Sequence, residues 1–144
     1  MEDELPPPES HPTFRVMRLM EVVVALPAVH ATVTLCEAEP PSRVLSFPIG
    51  LTEGAALAAA LDRSVGVRPS THELFSEVLS RVNADVIAVR LVEEHDGIFH
   101  AELDVMTARG RELFSCRPSD GLVLALRQAV PAPILADERL LAPH

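Results

Sequence analysis

A chain of 144 residues, 48% of them hydrophobic, is the size of one domain with one core and too apolar to stay unfolded. Its formal net charge of −9, with no lysine, tryptophan or tyrosine, argues against a broad electrostatic or stacking grip on nucleic acid, so any such activity needs local arginines and a divalent metal. No apolar run reaches bilayer length, and Met1-Glu2-Asp3-Glu4 is acidic where an export signal is basic, so the expectation is a cytoplasmic protein without a membrane partner.

Residues 1–13 are acidic and rich in proline, and are expected to form a disordered arm ahead of a domain over 14–141 and a short tail, 142–144. From Phe14 to Leu26 apolar residues occupy both alternating faces, which predicts a central strand covered on both sides. Strands follow over His30–Glu37 and Arg43–Ile49, joined through Pro40-Pro41. Thr52–Leu61 is rich in alanine and helical, a composition suited to close packing on a sheet or another helix. The strongest helical periodicity places Leu74, Phe75, Val78, Leu79 and Val82 on one face, with Glu73, Ser76, Glu77 and Arg81 on the other. Asp85–Val92 reads as a strand, and Asp96-Gly97 as a hairpin turn. In the next strand Phe99, Ala101, Leu103 and Val105 oppose His100, Glu102 and Asp104, which predicts one wet face. Arg109-Gly110 turns into a strand over Arg111–Cys116, a helix runs from about Ser119 to Gln128, and Ile134-Leu135 begins a short last strand. The order is β-β-β-α-α-β-β-β-α-β, an α+β domain with a mixed or antiparallel sheet. Cys36 and Cys116 match no metal spacing and are expected to be two buried thiols.

Two segments repeat one local design, Arg68-Pro69-Ser70 and Arg117-Pro118-Ser119. Proline keeps the arginine before it out of helical geometry, and the serine or its neighbour then caps a helix. Ser70-Thr71-His72-Glu73 fits a capping box, and Ser119 or Asp120 is expected to cap the third helix. Each start gathers an arginine, a hydroxyl, a carboxylate and free backbone N–H groups, a set that favours phosphate. Arg68, Arg117, Thr71 and Ser119 are therefore the phosphate-binding candidates. His72, with Glu73 and Asp120, is the candidate acid–base group. Glu53, Glu73 and Asp120 all stand at predicted helix N-termini. Acids there offset the helix dipole; alternatively they hold Mg2+ or Mn2+ through oxygen ligands.

Four segments in order, Phe47-Pro48-Ile49-Gly50-Leu51-Thr52-Glu53-Gly54-Ala55, Arg68-Pro69-Ser70-Thr71-His72-Glu73-Leu74, Asp96-Gly97-Ile98-Phe99-His100-Ala101 and Arg117-Pro118-Ser119-Asp120-Gly121-Leu122, resemble the bacterial bifunctional nuclease domain. The resemblance runs from about Phe14 to Leu141. It implies a compact α+β domain, often found as an oligomer and expected here to be a homo-oligomer, in a family named for cleavage of both DNA and RNA. Together with the clustered arginine, histidine and acid motifs it leads to the expectation of a metal-assisted nuclease acting on DNA or RNA. Its motif residues carry over to Gly50, Glu53, Arg68, Pro69, Thr71, His72, Arg117, Pro118, Ser119 and Asp120. Pro48, Glu73, His100 and Ser115 depart from the pattern, Ser115 standing where the family usually has an aspartate. The alternative is a non-catalytic oligomeric module that binds an anionic ligand or a protein partner.

Overall fold

The computed structural model describes residues 13–24, 27–64, 66 and 70–141. Residues 1–12 of the expected arm over 1–13, Leu26, Arg68-Pro69 and the tail lie outside the described residues; Thr13 is described, and its carbonyl accepts from the Glu138 N–H at 2.8 Å. The elements follow the expected order: β1 (Phe14–Val24), β2 (His30–Glu37), β3 (Val44–Gly50), α1 (Leu51–Leu61), α2 (Thr71–Arg81), β4 (Asp85–His95), β5 (Ile98–Thr107), β6 (Gly110–Cys116), α3 (Pro118–Leu126) and β7 (Ile134–Asp137), with a 3-10 turn over Glu138–Leu140. The β4–β5 connection is the expected tight turn, with positive φ at Asp96 (51°) and Gly97 (82°).

All seven strands join one sheet in the order β3-β2-β1-β7-β4-β5-β6. Two antiparallel meanders, β1–β2–β3 and β4–β5–β6, are stitched together by the short β7, antiparallel to β1 and parallel to β4. The sheet is therefore mixed, and the class is α+β. β7 inserts at its centre because Ile134 and Ala136 are buried.

The helices lie against one face of the sheet, α1 over β1 and β2 and α3 over β4 and β5. Leu57 and Ala60 of α1 and Leu122, Val123 and Ala125 of α3 join Val33, Leu35, Phe47, Val89, Leu91 and Leu103 in one core. Two glycines allow the close approach. A Cβ at Gly54 would stand 2.6 Å from the Ala31 Cβ, and one at Gly121 would stand 2.5 Å from Val89 Cγ2. Arginines fasten the far helix ends: Arg63 donates to the carbonyls of Leu126 and Gln128, and Arg127 to that of Ser64.

Three expectations are corrected. β1 is central, but with the helices on one face only its other face is open, leaving Val16 and Met20 exposed. Asp104 is not on a wet face: Arg90 and Arg111 of the flanking strands roof it on the side the helices leave bare, and its side chain is fully buried between them. α2 carries no fully buried residue. It turns His72, Glu73, Ser76 and Leu79 inward and leaves Leu74, Phe75, Val78 and Val82 exposed. A fourth correction concerns the cysteines, which are free thiols but only of intermediate burial, not buried as expected.

Candidate functional site

Three helix N-termini converge near the C-terminal ends of β3 and β6. β3 runs directly into α1, which places Glu53 in the first turn of that helix. Thr71 and His72 open α2, where the Ser70 hydroxyl accepts from the Glu73 N–H at 3.2 Å. The reciprocal half of the expected capping box is replaced, because the Glu73 carboxylate lies 3.7 Å from Arg127 Nη2. β6 ends at Cys116, and Arg117 is the N-cap of α3 with Pro118 in the first turn. Neither Ser119 nor Asp120 caps this helix through its side chain. Ser119 is buried, and Asp120 is engaged elsewhere.

Asp120 and Arg117 hold the centre. Arg117 Nε donates to Asp120 Oδ2 at 2.8 Å and its Nη2 to Oδ1 at 3.2 Å, a two-pronged pair. Arg117 Nη1 reaches across to Glu53 Oε1 at 3.2 Å. His72 Nε2 lies 3.0 Å from Asp120 Oδ1. Glu53, Arg117, Asp120 and His72 thus form one connected chain, although they are drawn from three helices and span the sequence from 53 to 120. Burial pushes the Asp120 carboxyl up, but hydrogen bonds from Arg117 and His72 outweigh it and hold it below the usual carboxylate range. The Asp120 hydrogen bond and charge keep the Arg117 guanidinium firmly protonated.

Arg117 divides two clefts. On one side is an apolar groove of about 490 Å3 between α2, α3 and the β5–β6 end of the sheet. Phe75, Leu79, Leu103, Val105, Phe114 and Leu124 line its body, and Thr71, His72, Arg117 and Asp120 line its polar end. On the other side a cleft of about 370 Å3 is lined by Pro48, Gly50, Glu53, Gly97, Phe99 and Ser119, among others. Every sequence-predicted site residue within the described segments except Glu73 lines one of these two clefts. Glu73 instead faces a third cleft with Ser64, Ser70 and Arg127. Arg68 lies outside the described residues.

Among the described residues no three His, Cys, Asp or Glu side chains converge as a ready-made metal cage. Glu53 and Asp120 are brought to one guanidinium, while Glu73 is turned to Arg127. A hard divalent cation needs only one or two carboxylates when phosphate oxygens and water complete its shell. The donor set therefore fits a carboxylate pair, Glu53 with Asp120, and not the three-carboxylate set.

Sequence reasoning did not single out Phe114, and it read Cys116 as a buried thiol and not as part of the site. Only five phenylalanines occur in the chain, and the signal for Phe114 was its position in a strand leading straight into Arg117. Ser115 also lines the groove, paired across the sheet with Glu102. Burial, reinforced by the Asp120 charge, pushes the Cys116 thiol up to about 11, which removes it as a nucleophile at neutral pH. His95 and His100 meet edge to face on the exposed β4–β5 hairpin, with ring centroids 5.5 Å apart.

Comparison with known proteins agrees with the sequence resemblance. The model of the bifunctional nuclease domain matches residues 33–144. The chain is also similar to uncharacterized proteins from two strains of Mycobacterium tuberculosis, 32% identical over 126 residues, which is 88% of this chain and 73% of each relative. No helix among the described residues is long and apolar enough to cross a membrane.

Proposed function

The chain belongs to the bifunctional nuclease domain family, and on that premise we propose that it is a metal-assisted phosphodiesterase acting on DNA or RNA at the Arg117 centre. The observation that carries the reading is the continuous chain Glu53–Arg117–Asp120–His72 at three helix N-termini. Arg117 presents the two-pronged geometry that matches phosphate oxygens as well as it matches Asp120. Its two carboxylate partners are partly exposed, and ion pairs of that kind contribute only about 0.2–1 kcal/mol, so an incoming phosphate exchanges with one of them at little cost. The first-turn N–H groups of α2 and α3 and the Thr71 hydroxyl add donors for the same anion. Ser119 lines the cleft on the far side of Arg117 and serves the phosphate from there. Arg68 is the second arginine of the reading, on the strength of its motif alone.

Asp120 holds His72 at Nε2 and fixes the ring, while Nδ1 makes no hydrogen bond among the described residues. That nitrogen takes a proton from the attacking water or returns one to the leaving oxygen. Glu53 and Asp120 would hold Mg2+ or Mn2+ once Arg117 turns to phosphate. The ion would offset negative charge as it builds on the phosphoryl oxygens. Glu73, tied to Arg127, acts through the position of α2 rather than on the substrate.

The test is cleavage of single-stranded and duplex DNA and RNA by purified protein, with and without Mg2+ or Mn2+. His72→Ala, Asp120→Asn and the double variant Arg68→Ala, Arg117→Ala should each lower the rate by about 100-fold or more, the usual scale for removing an acid–base or charge-stabilising group. Undiminished cleavage by the double arginine variant would assign the activity to a contaminant. A second reading, a non-catalytic oligomeric module, is favoured by the outward apolar stripe Leu74, Val78 and Val82 and by Ser115 in the groove. It predicts self-association that Leu74→Glu with Val78→Glu abolishes in sedimentation. It also predicts thermal stabilisation by nucleotides or phosphates without turnover.

A further inference from the structure

We propose that the apolar groove beside His72 and Asp120 receives an unstacked nucleobase, which makes single-stranded nucleic acid, not duplex, the substrate; the proposal rests on the phosphodiesterase reading and extends it. The groove joins an apolar body to a polar end within one cavity of about 490 Å3, inside the size range of small-molecule pockets, about 300–1,000 Å3. A nucleotide has that same division, a flat base at one end and an anion at the other. Phe75 from α2 and Phe114 from β6 line the body, and 47% and 49% of their surfaces are exposed. Two half-exposed rings in a chain with no tryptophan or tyrosine are its main available stacking surfaces. The base enters beside Phe75 and Phe114 while its phosphate meets Arg117 and His72.

Charge selects between single strand and duplex. Duplex binding without base contacts depends on neutralising many phosphates, and this chain carries a formal charge of −9. Among the described residues Arg117 is the one arginine that lines the groove. With one arginine along the groove, the base supplies a large share of the free energy of binding, and stacking on an aromatic ring is tolerant of base identity. In a duplex that base is already stacked and paired, and extracting it carries a penalty that a single strand does not. A groove that takes the base and leaves the sugar outside would accept DNA and RNA alike.

The experiment measures equilibrium binding by calorimetry in metal-free buffer, with three probes: a single-stranded deoxyadenylate hexamer, a blunt-ended GC-rich duplex without loops or overhangs, and ribose 5-phosphate, which has no base. The hexamer should bind roughly tenfold or more tightly than the other two, with a shallow salt dependence equivalent to one or two phosphates. Phe75→Ala and Phe114→Ala should each weaken the hexamer by roughly tenfold and leave ribose 5-phosphate unchanged. Phe114→Leu keeps the apolar volume, so it separates loss of the ring from loss of the fold. Its thermal melt should match the parent while its hexamer affinity falls. Equal binding of hexamer and ribose 5-phosphate, equal binding of duplex, or full affinity in Phe114→Leu would each overturn the proposal. Cleavage assays keep the two claims apart. Cleavage indifferent to both phenylalanines removes the base pocket alone. Phenylalanine-dependent binding with no cleavage under any metal removes the phosphodiesterase reading and leaves the pocket.

Discussion

Gly121→Ala sets two effects of opposite sign against each other at the base of the site. Replacing a helical glycine with alanine normally stabilises by up to about 1 kcal/mol, because glycine loses the most backbone freedom on folding. Here the added methyl meets Val89 Cγ2 at 2.5 Å and Cys116 Sγ at 3.2 Å, where ordinary contact begins at 3.4 Å. Val89 is fully buried and β-branched, so it has no free rotamer to yield, and α3 must lift by several tenths of an ångström. Overpacking of this kind costs about 1–3 kcal/mol, which outweighs the helical gain. The net expectation is a loss of about 1–2 kcal/mol, seen as a drop in Tm of roughly 3–7 °C in a thermal melt. The lift also moves Arg117 and Asp120 relative to His72, so cleavage should fall even where the protein remains folded. Val89→Ala in the same chain should relieve the clash, making the double variant more stable than the summed single losses predict. A Gly121→Ala protein as stable as the parent, or more so, would refute the close packing of α3 on β4.

The pH dependence of stability should be dominated on the acid side by Glu37. The Arg43 hydrogen bond, opposed by burial and reinforced by Arg15, holds its carboxyl down at about 2 against an ordinary 4.5. A depressed folded value contributes stability that is complete above about 4.5 and drains away as pH falls towards about 2. Melting temperature followed across that range should drop steeply in the parent and far less in Glu37→Gln; equal slopes would contradict the assignment. Cys116, raised to about 11 by burial and the Asp120 charge, should resist iodoacetamide at pH 8 in the native state and react fully in urea. Rapid native labelling there would show the groove wall to be more open than described. Leu57→Ala, which empties a fully buried position between α1 and the sheet, should cost about 2–5 kcal/mol by urea denaturation, whereas Val82→Ala on the exposed side of α2 should change stability by less than about 0.5 kcal/mol.

Much of the fold was legible before the structure, because its signals are local. Period-two alternation in His30–Glu37, helical spacing in α2, and the Asp96-Gly97 and Arg109-Gly110 turns all report backbone preferences over a few residues, and each strand and α-helix lies where those preferences put it, with ends shifted by up to three residues. The starts of α2 and α3 were readable from proline and serine for the same reason. The capping details were less so, because a side chain such as Glu73 or Asp120 takes the strongest partner within reach, and Arg127 and Arg117 are stronger partners than a backbone N–H.

Three matters were decided only by tertiary structure. β7, four residues long, became the seam between two meanders, a long-range pairing that no local pattern encodes. The amphipathic face of α2 identified a helix correctly but not its orientation, since periodicity is blind to which face meets the protein. The helix turned Ser76 inward and Phe75 towards an open groove. Local sequence signals sufficed for an α+β chain with arginine, acid and histidine at its helix starts. Only folding brought Glu53, His72, Arg117 and Asp120 into one hydrogen-bonded chain, because their proximity depends on where three helices cross the sheet, and that is set by packing across the whole core.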